Sequence, residues 1–155
     1  MTSEGFKITD RDRQQVDGQR LTADIGIDAD EIAWRKDFTQ FDDADRQRLE
    51  QMAGTFDRIA DDLVDDFYNH LQEYTSTVAI LDSSSKSVAA LRKSQSDYLT
   101  NLGNGDFGRE YFDRRARIGK IHDMLDLGPK IYLGAYSIYY EGILQAIADD
   151  VKQEL

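Results

Sequence analysis

The chain of 155 residues has two histidines, His70 and His122, and no cysteine. Thiolate zinc sites, iron–sulfur clusters, disulfides and cysteine nucleophiles are therefore excluded. His122 lies in "RARIGKIHDM", four residues after Ile118 and three before Leu125. That spacing puts all three on one stripe of a helix. Gly119, three residues earlier on the same side, removes bulk and lets something flat or large approach. Three chemistries are open to such a histidine: a core imidazole bonded to a carbonyl, an acid–base group, or a metal ligand. The first is the commoner outcome for a buried neutral imidazole. A metal cluster needs more ligands than this chain offers. No Glu-x-x-His pair of the di-iron type and no His-Glu-x-x-His is present. One histidine is too poor a set for zinc or non-haem iron. It is enough for haem, whose porphyrin supplies four nitrogens and needs one axial protein ligand.

Hydroxyls come next. Tyr68 lies four residues after Val64, on the stripe expected to be buried, where its O–H needs a partner. Ser94, three residues after Leu91 and four before Tyr98, is expected on the inward face of another helix. Together they could hydrogen-bond a small polar ligand. His70 is only two residues from Tyr68, about 200° round a helix, and is expected to face solvent. Arg114, Arg115 and Arg117 form the one basic cluster; pairing with surface aspartates is its ordinary role, and neutralising acidic groups of a cofactor or partner its functional one. Nucleophilic catalysis has no support: Gly-x-Ser-x-Gly and a P-loop are both missing. Paired carboxylates such as Asp61–Asp62 read as solvated charge.

These side chains must be positioned by helices. Apolar residues recur every three or four positions from about residue 31, strand signals are weak, and the single proline is Pro129. Residues 1–30 are polar and expected to be loosely held; residues 31–155 form the domain. In the first helix Ile32, Trp34 and Phe38 serve as anchors, with Asp30 as cap. Gly54 is expected to stop the next helix and Thr55 to cap the long one carrying Phe56, Ala60, Leu63, Val64 and Phe67. "DSSS" at 82–85 reads as a loop and cap, "GNGDFG" as a break with Asp106 capping the His122 helix, and Pro129 as the first turn of a final helix. Six or seven crossing helices result, an all-α class.

The net charge of −11 argues against binding nucleic acid or an anionic membrane through a basic field. Aspartate supplies 23 of the 30 acidic residues although it is a poor helix former, which suits adaptation to high salt, with an ordinary acidic bacterial protein as the alternative. No apolar run approaches the roughly 20 residues of a membrane span, and the first residues lack a signal-peptide core. The expectation is a cytoplasmic chain without membrane insertion.

Four segments in order, "AWRKDF", "DDFYNHLQ", "LRKSQSDYL" and "RARIGKIHDMLDLGPKIYLGAY", resemble the globin-coupled sensors, closest to the haem-based aerotaxis transducers of salt-loving archaea. The resemblance covers about residues 28–150. It implies a globin fold with an extra N-terminal helix. It also implies haem b whose iron is held by His122, with Tyr68 and Ser94 as distal hydroxyls, Leu91 beside them and Tyr132 near the proximal side. It further implies reversible dioxygen binding, with carbon monoxide and nitric oxide as other ligands, and signalling to a chemotaxis output rather than catalysis. Family members continue into a helix H that builds a homodimer with helix G. This chain ends near the end of G, so helix H is expected to be missing and the stripe Ile143, Leu144, Ile147 and Val151 to need a cover. A haem enzyme turning over nitric oxide or peroxide, and a non-haem globin-fold interaction module, are the alternatives.

Overall fold

The structure is a computed structural model that describes residues 7–155. Among them are nine α-helices: α1 (Asp10–Gln14), α2 (Gly18–Asp24), α3 (Ala29–Phe38), α4 (Asp43–Gln51), α5 (Ala53–Leu71), α6 (Thr75–Asp82), α7 (Val88–Thr100), α8 (Arg109–Met124) and α9 (Pro129–Glu154). A 3₁₀ turn, Asn101–Gly103, follows α7. The count exceeds the expected six or seven because short helices form at both ends of the polar N-terminal segment and again at 75–82. The only strand-like pairing among the described residues is an isolated parallel bridge between Ile8 and Ser84.

The long helix α5 buries Phe56, Ala60, Leu63, Val64 and Tyr68 along one face, as their spacing requires. It packs against both α7 and α9. The core that results unites Ala60, Leu63, Val64 and Tyr68 with Leu99 of α7 and Tyr139 of α9. Each fully buried aliphatic side chain here stabilises the fold by about 1.5–3 kcal/mol. Ser87 caps α7 by accepting from the Ala90 N–H, and Pro129 opens α9 where its missing N–H is harmless.

Several expected boundaries move. Gly54 lies inside α5 rather than ending α4, and the Thr55 hydroxyl reaches Asp150 instead of capping. Asp28, not Asp30, caps α3, because its carboxylate is the one that accepts from the Glu31 N–H. Asp106 accepts from the Gly108 N–H at 3.0 Å, two residues short of the helix it was expected to cap. Trp34 and Phe38 are not anchors: they stack on each other at 4.9 Å and stay 56% and 72% exposed, while Ile32 alone is buried on α3.

The N-terminal segment is also not loose. Ile8, Arg13, Thr22 and Ile27 are all buried. The Arg13 guanidinium donates to the Ile8 carbonyl and to the Ser84 and Ser85 hydroxyls. Helix α2 packs on α8, where the Thr22 hydroxyl donates to Asp113 and Arg109 reaches both. Thr22, and after it Arg109, hold the Asp113 carboxyl below the usual range against the opposing effect of burial. The helices meet this closely because residue 18 is glycine: a Cβ there would lie 2.1 Å from the Asp113 carbonyl oxygen.

Candidate functional site

Helix α8 has α2 as its close partner, whereas α5 packs against both α7 and α9. A slot lies between these two bodies, and His122 lines it from α8. The helix stops one turn later in a tight closure. The Leu127 N–H donates to the His122 carbonyl at 2.9 Å and the Asp126 N–H to the Asp123 carbonyl, with Asp126 at φ 54°. The His122 backbone is thereby fixed while its ring stays unengaged. Burial lowers its pKa, with no hydrogen bond or charge contributing, so the imidazole is neutral near pH 7 and keeps a lone pair. Its one aromatic neighbour among the described residues is Tyr132, edge-on at 5.7 Å between ring centroids.

The other wall carries Tyr68, Leu91, Gln95 and Tyr139. Tyr68 is buried, and burial pushes its pKa up to about 12, so it remains an O–H donor. The Tyr132 hydroxyl lies 2.9 Å from that of Tyr136, which lies 3.5 Å from that of Tyr98. These contacts link α9 to α7 along the slot. Most of the apolar lining, including Phe67, Leu71, Leu81, Leu125 and Ile131, is only half-buried.

The structure thus brings His122, Tyr68, Leu91 and Tyr132 to one place and leaves Ser94 outside it. Ser94 is exposed and its hydroxyl donates to the Ala90 carbonyl at 3.1 Å, so the expected inward-facing serine is not observed. The reason is helical phase. The inward line of α7 runs through the half-buried Val88, Leu91 and Gln95 to the buried Leu99, and Ser94 falls about 60° beyond Leu91 on the solvent side. Gln95 takes the inward position that Ser94 was expected to hold. Neither Gln95 nor Tyr139 stood out in the sequence, although Tyr132, Tyr136 and Tyr139 recur at helical spacing on α9. His70 is exposed, beside Glu73, as expected. The arginine cluster divides: Arg114 pairs with Glu110, Arg115 lies over the rings of Tyr98 and Tyr111, and Arg117 donates to the Arg13 carbonyl at 2.9 Å.

The chemistry of the lining suits a flat apolar group held by one histidine. It offers a single neutral imidazole, half-covered apolar walls that an inserted group would finish burying, and a buried phenol, Tyr139, whose hydroxyl has no partner among the described residues. The cavity between the walls is about 140 Å³, smaller than a porphyrin, so the half-buried lining side chains would have to part around one. No cluster of three or more potential metal-ligating side chains occurs among the described residues, which leaves a single-histidine site as the geometry at hand.

An all-helical domain with one histidine in an apolar slot is the class that fold and site define. The protoglobin family model matches residues 28–155, and the chain belongs to that family, with its globin fold. It is also similar to the heme-based aerotactic transducer HemAT of Halobacterium salinarum, 49% identical over 139 residues, which is 90% of this chain and 28% of that relative. The chain therefore corresponds to less than a third of the relative's length. No solved structure matches it significantly.

Proposed function

We propose that this domain holds haem b through His122 and binds dioxygen reversibly, as the sensing part of a longer cytoplasmic transducer. The observation that carries the reading is the neutral, unengaged His122 ring in an apolar slot, facing a wall that bears buried phenols. The name of the relative, a heme-based aerotactic transducer, supports it. Haem held by His122 would supply an iron that binds a diatomic gas reversibly, for which dioxygen, carbon monoxide and nitric oxide would compete.

The chain's own residues set the terms. Burial keeps the His122 lone pair free of a proton, and Tyr132 packs against the edge of its ring. Leu71, Leu91 and Ile131 exclude water, and Tyr68 presents a protonated hydroxyl. Aerotactic signalling to an output module follows the relative's name. No helix among the described residues is long and apolar enough to cross a membrane, and the cytoplasmic placement goes with the sensing role. Leu133, Tyr140 and Leu144 are exposed on α9, which supports pairing with a second copy through that helix.

The test is an absorption titration of the chain with haem, reduced and then exposed to oxygen. A Soret band that moves reversibly with oxygen is expected. His122→Ala should weaken haem binding by more than about 100-fold, beyond the 10- to 100-fold typical of losing an outer partner. An unchanged spectrum in that variant would overturn the reading.

A further inference from the structure

Buried polar atoms in native proteins nearly always have a partner. Tyr139 is 5% exposed, and its hydroxyl is fully enclosed with none among the described residues. Its ring stacks on Phe67 at 4.7 Å, inside the same buried cluster as Tyr68, and it lines the slot. Gln95 approaches the oxygen without closing a well-shaped hydrogen bond. Burial raises the pKa of Tyr139, so the group is an O–H donor, never a phenolate, at neutral pH. A phenylalanine would fill the same space without leaving a polar atom unpaired.

We infer that Tyr139 is a second hydrogen-bond donor to the small ligand bound in the slot, acting beside Tyr68, and that this ligand carries negative charge on its outer atom. The inference rests on the haem reading above. The acidic side groups of a porphyrin do not suit Tyr139, which sits in the core between α5, α7 and α9 and not at the open mouth. A diatomic molecule is small enough to reach that depth. Two phenols and an amide converging on one region make it rich in donors, and a hydrogen bond to a charged acceptor is stronger than one to a neutral acceptor. Tyr139 therefore discriminates: it favours dioxygen, which becomes polarised when bound, over carbon monoxide, which stays nearly neutral.

The experiment starts from the haem-loaded chain, with uptake verified by its absorption spectrum. If the unaltered chain takes up no haem, the underlying reading fails, and this inference with it, before any variant is made. Given uptake, Tyr139→Phe should speed dioxygen release about tenfold or more, the effect of losing one hydrogen bond to a charged acceptor, while carbon monoxide release stays within about threefold. Equal release of both gases from variant and parent, with an unchanged C–O stretching frequency, overturns the proposal and leaves Tyr139 a packing residue. A second arm does not depend on that variant folding. In Tyr68→Phe, the vibration of bound dioxygen should still shift between H₂O and D₂O, because Tyr139 continues to donate. Absence of that residual shift also overturns the proposal.

Discussion

At His122 the sign of the pH effect follows from burial. Its folded pKa lies below the ordinary value of about 6.5, so as pH falls the unfolded chain takes up the proton first. The stability associated with the neutral buried ring is present above about pH 6.5 and is lost as pH falls from there toward the lowered value. Haem retention must move the same way, since the proton and the iron compete for one lone pair. Acidification through this window should lower the urea midpoint of the haem-free chain and speed haem release from the loaded one. His122→Gln should flatten the haem-free profile, and a slope that survives the substitution would exclude His122 as its source. His122 and Tyr68 were legible because each sits on an apolar stripe whose period shows in the sequence. Ser94 was misplaced because the stripe of α7 is sparse, and four apolar side chains left its phase uncertain by the width of one residue. Tyr139 was passed over for a different reason: amid four tyrosines on α9, nothing in the sequence says which hydroxyl lacks a partner.

Among the elements, α5, α7 and α9 were readable from period and caps, but the support of α8 was not. Polar residues carry the contact between α2 and α8: the fully buried Thr22, the buried Asp113 and the exposed Arg109, with a glycine that permits backbone contact. A pattern of apolar residues says nothing about such a joint, which is why residues 1–30 looked loose. Gly18→Ala tests it. The added methyl meets a backbone carbonyl, not a flexible side-chain tip, so α2 must shift. A loss of about 1–3 kcal/mol is expected in denaturant unfolding, in line with other overpacked contacts. Amide exchange should quicken in α2 and α8 and stay unchanged in α5. Unaltered exchange in α8 would show that α2 does not hold it.

For the molecule as a whole, charge dominates. Most ion pairs are local and exposed, such as Arg35–Glu31 and Lys93–Asp97, and each adds little stability. They leave the net −11 uncompensated. Screening reaches about 10 Å in 0.1 M salt and about 3 Å in 1 M, so molar salt should relieve the repulsion, raise the unfolding midpoint and allow α9 faces to pair. Unfolding and sedimentation in 0.1 and 2 M potassium chloride test both. Equal stability in the two would dismiss adaptation to salt, and an unchanged monomer mass would dismiss pairing through α9. The family match begins at residue 28, yet Arg13 lies before it and ties Ser84, which lines the slot, to Arg117 of α8. The packed structure thus extends beyond the residues that the family model matches. A boundary drawn at residue 28 would keep every lining residue and cut the bonds from Arg13 to Ser84 and from Arg117 to Arg13.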